Sequence, residues 1–242
     1  MSLTTPVVDI RRSDDRFHTR TSWLDSRHSF SFNYHYDPDN THFGLLLVSN
    51  DDVVKAGTGF DTHPHRDMEI VTWVLDGELE HKDSQGHRGL IVPGDAQRMS
   101  AGTGIKHSEI NYSAKTDVRF VQMWVLPDTK SIDPGYQESH ISSLIDSGHL
   151  MPIASGRGHD GAVRIQQQAA VLWAARLRPG ASVLLPDAPY VHLYVARGPV
   201  ELEAAGRLAE GDAARMIAAD GRRVTAPPDG PGAEILAWEF RS

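Results

Sequence analysis

The chain has 242 residues, enough for one large all-β domain or two domains of roughly 100–120 residues each. It contains no cysteine, which excludes disulfides, thiolate metal ligands and a cysteine nucleophile, and fits a reducing, cytoplasmic setting. The net charge of −8 argues against nucleic acid as a partner, and no stretch approaches the roughly 18–20 apolar residues of a membrane span.

From the N-terminus, Asp9, Arg11, Arg12, Asp14, Asp15 and Arg16 leave no apolar run before Phe17, so no secretory leader is expected there. A segment rich in Phe and Tyr follows, carrying His28, His35 and His42, which read first as core or surface residues and second as lining a pocket mouth. Short alternating or apolar runs separated by Gly, Pro, Asp and Asn then predict strands at 45–49, 69–75, 78–81, 88–92, 97–100, 106–111 and 118–126. His81 and His87 bracket a hairpin of polar residues and read as rim residues. Gly102-Thr103-Gly104 has no lysine or helix start in phosphate-loop spacing, so it is not read as one. After the turn signal Asp133-Pro134-Gly135, Ile141, Leu144 and Ile145 recur at helical spacing and predict a helical connector over 138–149. Strands resume at 163–168, where Gln166, Gln167 and Gln168 carry no evident chemistry, and the solitary His192 reads as structural.

Two pairs of residues stand out. His63-Pro64-His65 and His107-Ser108-Glu109 each place two ligand-type side chains two positions apart. On a β-strand that spacing points both toward one face. Three imidazoles and a carboxylate in one interior would make a mixed nitrogen and oxygen site suited to a divalent transition metal. Such a site keeps an open position only for ions that take five or six ligands, as iron, manganese, nickel or copper can. Spacing alone leaves Glu69 open as the carboxylate, because it lies four residues beyond His65 and shares its strand parity.

The second half echoes the first. Trp73-Val74-Leu75-Asp76-Gly77-Glu78-Leu79-Glu80 is repeated loosely as Tyr194-Val195-Ala196-Arg197-Gly198-Pro199-Val200-Glu201, and Gly94-Asp95-Ala96-Gln97-Arg98-Met99 as Gly211-Asp212-Ala213-Ala214-Arg215-Met216. A duplicated β-barrel explains both matches. In that register His63, His65, His107 and Glu109 correspond to Leu184, Pro186, Val224 and Ala226, so the second barrel is expected to be metal-free.

Gly57 through His65, with Glu69 and Gly77, resembles the first cupin motif, and Gly94, Gly102, His107 and Asn111 resemble the second. Trp23-Leu24-Asp25-Ser26-Arg27-His28-Ser29-Phe30-Ser31-Phe32, His63-Pro64-His65-Arg66-Asp67-Met68-Glu69, His81-Lys82-Asp83-Ser84-Gln85-Gly86 and the stretch from Ser100 to Glu109 resemble the pirin family. The likeness is strongest over residues 20–126, and the Asp67-Met68 variant looks most like bacterial pirin-like quercetin 2,3-dioxygenases.

The resemblance implies an all-β bicupin: two packed jelly-roll barrels joined by a short helical connector. Residues 1–135 would form the metal-binding cupin and 136–242 a degenerate one. It implies His63, His65, His107 and Glu109 as ligands; beside them, Glu69 is expected either as an outer carboxylate that orients ligating histidines or as strand-buried, and Glu109, where it can loosen from the metal, as the catalytic base. The expected cofactor is one divalent transition metal, Fe(II) first, with Mn, Ni, Co, Cu or Zn as alternatives. The expected reaction is dioxygenation of a flavonol- or catechol-type aromatic by O₂. Two other readings predict the same ligands without turnover: a regulatory pirin acting through a protein partner, and a closed structural zinc site.

Overall fold

The structure is a computed structural model describing residues 7–241; residues 1–6, the start of the charged N-terminal segment, and residue 242 lie outside the described residues. The first half supplies strands β1 (Val7–Arg11), β2 (Phe17–Arg20), β3 (Leu24–His28), β4 (Leu46–Val54), β5 (Gly59–His65), β6 (Glu69–Asp76), β7 (Leu79–Asp83), β8 (Arg88–Ile91), β9 (Asp95–Ser100), β10 (Ile105–Asn111), β11 (Val118–Val125) and β12 (Gly135–His140). Helix α1 (Ser142–Ile145) follows. The second half supplies β13 (Met151–Ser155), β14 (Val163–Arg164), β15 (Ala170–Leu177), β16 (Ser182–Leu184), β17 (Tyr190–Arg197), β18 (Val200–Leu202), β19 (Gly206–Leu208), β20 (Ala213–Ile217), β21 (Arg223–Thr225) and β22 (Ala233–Phe240).

These strands form two barrels, each a seven-stranded sheet facing a four-stranded one. The first has the orders β12-β9-β6-β11-β4-β3-β2 and β5-β10-β7-β8. The second has β1-β20-β17-β22-β15-β13-β14 and β16-β21-β18-β19. Strand for strand the orders correspond, so the weak internal echo in the sequence is a duplication of topology. The sheets exchange strands across the expected division: β1 pairs with β20 of the second barrel, whereas β12 pairs with β9 of the first.

The helical connector is shorter than its periodicity predicts. Residues 138–140 belong to β12, because edge strand β9 offers them a ladder, and only Ser142–Ile145 is helical, with Ile145 buried. Gln166–Gln168 likewise lie outside β14, in a loop that docks on the first barrel: the Gln166 N–H donates to Glu69 and Gln167 Nε2 to the Leu126 carbonyl.

Alternation sets four apolar clusters among the described residues, a small one being Ile70, Met99, Ala101 and Ile105. On β11, Val118 and Phe120 face the first barrel's interior with Val54, Val74, Leu79 and Ile91. Val121, Met123 and Val125 face the other way, into the large apolar layer between the barrels, against Leu172, Leu236 and Trp238. The second barrel is filled by its own apolar cluster, in which Val224 and Ala226 are fully buried. Two positions aligned with His107 and Glu109 thus carry packing in the second barrel, where the first carries polar groups. Buried apolar area of this kind stabilises at about 25 cal/mol per Å².

Candidate metal centre

β5 and β10 pair antiparallel, with His63 opposite His107 and His65 opposite Ile105. The register shifts at a bulge between His107 and Glu109. Gly59 makes this crossing possible, since a Cβ there would collide with the Glu109 carbonyl oxygen. The two strands bring the imidazoles of His63, His65 and His107 together, with ring centroids 4.5, 4.8 and 4.9 Å apart. One ring nitrogen from each lies within 4.8 Å of the others.

A second group of three, His81, His107 and Glu109, meets the same criterion and is fully buried. His107 belongs to both groups; of the four predicted ligands, His63, His65 and His107 come together, and Glu109 groups with His107 on the side of His81. Gln122 Nε2 donates to Glu109 Oε2 at 2.6 Å, and Thr72 Oγ1 to Oε1 at 3.4 Å. Burial pushes the Glu109 carboxyl above its ordinary range, although these bonds and nearby histidines act against that.

The donors fit a cation. His65 Nε2 and His107 Nε2 are buried and have no hydrogen-bond partner among the described residues. Such orphans cost free energy unless something meets their lone pairs. Burial and the neighbouring imidazoles lower His65 and His107 to about 3, so both rings are neutral at pH 7 and can present a lone pair. His63 Nδ1 donates to the Asp61 carbonyl at 2.7 Å, which leaves its Nε2 as the acceptor. Three imidazoles with a carboxyl group nearby suit a divalent metal and do not by themselves choose which one.

The cluster opens on a cavity of about 570 Å³. Its aromatic wall comprises Trp23, Phe32, Phe60 and Trp124. Trp124 meets His65 edge-on at 4.8 Å, and Trp23 meets Phe60 in the same way at 5.2 Å. Ser26, His28, Asn50, Asp52 and Gln122 contribute polar groups to the lining.

Glu69 is the strand-buried carboxylate of the two expectations, not one that orients the histidines: its Oε2 accepts from Ser100 Oγ and the Gln166 N–H, with no histidine bonded to it among the described residues. On β6 it shares a face with Val71 and Trp73, toward the second barrel, while Ile70 and Thr72 take the opposite face. Counting parity from His65 fails because residues 66–68 turn between β5 and β6. His81 is not a rim residue either. It is 0% exposed, its Nδ1 lies 3.4 Å from His107 Nδ1, and its ring stacks on Tyr136 at 4.7 Å. Its inward direction follows from the buried Leu79 two residues earlier on β7. His87 remains half-buried over Asp83, and His42 is exposed. His28 is buried in the cavity wall, with His35 beside it. His192 is buried between the rings of Phe30 and Phe43.

Comparison with known proteins places these features in a family. The pirin family model matches residues 10–125, and the model of the quercetinase C-terminal cupin domain matches 152–239. A Mycobacterium tuberculosis protein provisionally named as a quercetin 2,3-dioxygenase is 56% identical over 239 residues, covering 98% of this chain and 97% of its own length. This chain belongs to the pirin family. Among other pirin relatives, the quercetin 2,3-dioxygenase of Escherichia coli K12 is 40% identical over 177 residues, 73% of this chain and 75% of that protein. The crystal structure of the bacterial pirin YhhW from Escherichia coli, in complex with nickel(II), superposes with a TM-score of 0.89 at 32% identity over 97% of this chain and 99% of that one. The two barrels of this pirin are therefore cupins, as the resemblance implied.

Proposed function

We propose that this pirin is a metal-dependent dioxygenase that cleaves a flavonol- or catechol-type aromatic, with quercetin as the model substrate. His63, His65, His107 and Glu109 would hold one divalent ion, Fe(II) first among the candidates. The observation that carries the reading is the pair of buried nitrogens on His65 and His107, unpartnered among the described residues, beside a cavity lined by His63, His65, Glu109 and four aromatic rings. A closed structural site would not need that cavity.

A bound divalent ion supplies Lewis acidity, which lowers the proton affinity of a hydroxyl presented to it. The chain supplies the rest. Trp23, Phe32, Phe60 and Trp124 exclude water and hold a flat ring system by stacking and edge contacts. Glu109, held by Gln122 and Thr72, is the carboxylate placed to accept the proton of the substrate hydroxyl, and its burial favours taking one up. Quercetin and O₂ then yield the ring-opened ester and carbon monoxide, with both oxygen atoms of O₂ entering the ester product.

The test is to load metal-stripped protein with Fe(II), Mn, Ni, Co, Cu or Zn in turn, add quercetin in air, and follow the flavonol absorbance and carbon monoxide release. Loss of absorbance with stoichiometric carbon monoxide is expected for at least one metal. Rates no higher than the stripped control for every metal would defeat the proposal.

A further inference from the structure

A second polar group lines the cavity and has no part in holding a metal. β3 and β4 pair with Ser26 opposite Asp52 and His28 opposite Asn50, and all four residues line the cavity. Asp52 is only 3% exposed. Ser26 Oγ donates to Asp52 Oδ1, whereas Oδ2 receives no hydrogen bond from the described residues. Its neighbour Asp51, on the opposite face of β4, is instead held by a two-pronged ion pair with Arg119. Among the described residues Asp52 has no such partner.

A buried carboxyl that serves only the scaffold normally has both oxygens satisfied. One oxygen left without a donor, in an aromatic cavity, is what a site for a ring hydroxyl requires. Aromatic walls alone discriminate weakly among ring systems of similar shape. A buried polar group left unpaired by the wrong ligand discriminates strongly.

We propose that Asp52, positioned by Ser26, is a specificity-determining residue that accepts a hydrogen bond from a second hydroxyl of the aromatic whose first oxygen meets the His63–His65–His107–Glu109 cluster. The inference rests on the aromatic-substrate reading above. It restricts that substrate to polyhydroxylated aromatics and disfavours those with a single oxygen function.

The experiment is a binding titration on full-length, metal-loaded protein under argon, read by quenching of tryptophan fluorescence, since Trp23 and Trp124 line the cavity. The probes are quercetin and 3-hydroxyflavone, which keeps the hydroxyl beside the carbonyl and lacks all the others. The wild-type protein is expected to bind quercetin at least tenfold more tightly. Asp52→Asn should reduce that ratio below threefold, through weaker quercetin binding, with 3-hydroxyflavone affinity within twofold and metal content per chain unchanged. Ser26→Ala, which keeps the carboxyl but releases its position, should lower the ratio at least threefold and serves should the first variant not fold. An unchanged ratio in both variants, or loss of metal in Asp52→Asn, would overturn the role of Asp52 and leave the aromatic reading standing. If neither flavonol binds the wild-type protein, both fall together.

Discussion

His81 and His107 meet Nδ1 to Nδ1 at 3.4 Å inside the first barrel. Only one of the two nitrogens can carry the hydrogen. The assignment consistent with the surroundings runs inward from Asp83, which lies 3.4 Å from His81 Nε2. His81 then donates to Asp83 through Nε2, His107 donates to His81 through Nδ1, and His107 Nε2 keeps its lone pair for the cluster.

The first prediction follows from that chain. His81→Leu should weaken metal binding about 10–100-fold without removing a ligand, because His107 loses the partner that fixes its tautomer and orientation. Competition with a metallochromic chelator would measure it. Unaltered affinity would mean that His81 plays no part in orienting His107.

Asp52 gives a prediction about stability. Burial, reinforced by Asp51 and Glu109, pushes its carboxyl up to about 7, against 3.8 in the unfolded chain. Above pH 3.8 the unfolded chain gives up this proton first, so stability declines as pH rises toward 7. Asp52→Asn removes the titration while its amide oxygen can still accept from Ser26. The variant should match the wild type near pH 4 and exceed it at pH 8 by on the order of 4 kcal/mol, as read by urea unfolding at both pH values.

His192 has the opposite sign. Burial, together with Arg215 and Arg16, lowers it to about 3 from 6.5. As pH falls below 6.5 the unfolded chain takes the proton first, so stability is lost between there and about 3. His192→Gln should make the acid-side loss shallower by up to about 1.4 kcal/mol per pH unit. His28, lowered to about 4 by burial, keeps a residual slope. Thermal melts across pH 4–7 would show the difference.

Arg119 links the barrels. It binds Asp51 through two bonds of 3.0 and 2.8 Å and Glu210 of the second half at 2.6 Å. Burial alone would raise Asp51, and the Arg119 bonds hold it below its ordinary value instead. Arg119→Ala strands a buried carboxylate to which, among the described residues, Tyr194 still donates, and should cost about 3 kcal/mol. Denaturant midpoints at constant m-value would report it.

Much of the centre was legible because its information is local. His63/His65 and His107/Glu109 lie two apart on single strands, so alternation alone predicts a shared face for each pair; His63, His65 and His107 come together, with Glu109 beside His107 and His81. Duplicated Gly-Asp turns likewise carried the two-barrel topology. What escaped depends on strand partners far apart in sequence. Glu69 shares the parity of His65 only if the chain stays extended, and the turn at 66–68 sends it toward the second barrel. His81 sits beside a polar hairpin yet points inward with Leu79, one turn of alternation earlier. The cavity wall draws Ser26 from β3, Asp52 from β4 and Gln122 from β11, which only pairing brings together. The exchange of β1 and β12 between barrels has no local sign at all, since either strand could close either sheet edge.

The most direct measurement is the metal content of freshly purified wild-type protein and of its His107→Ala variant, each quantified per folded chain by elemental analysis. The account predicts close to one equivalent of a divalent transition metal in the wild type and less than a tenth in the variant, with Leu184→Ala, an exposed position of the second barrel, matching the wild type. Equal metal content with and without the His107 imidazole would contradict it.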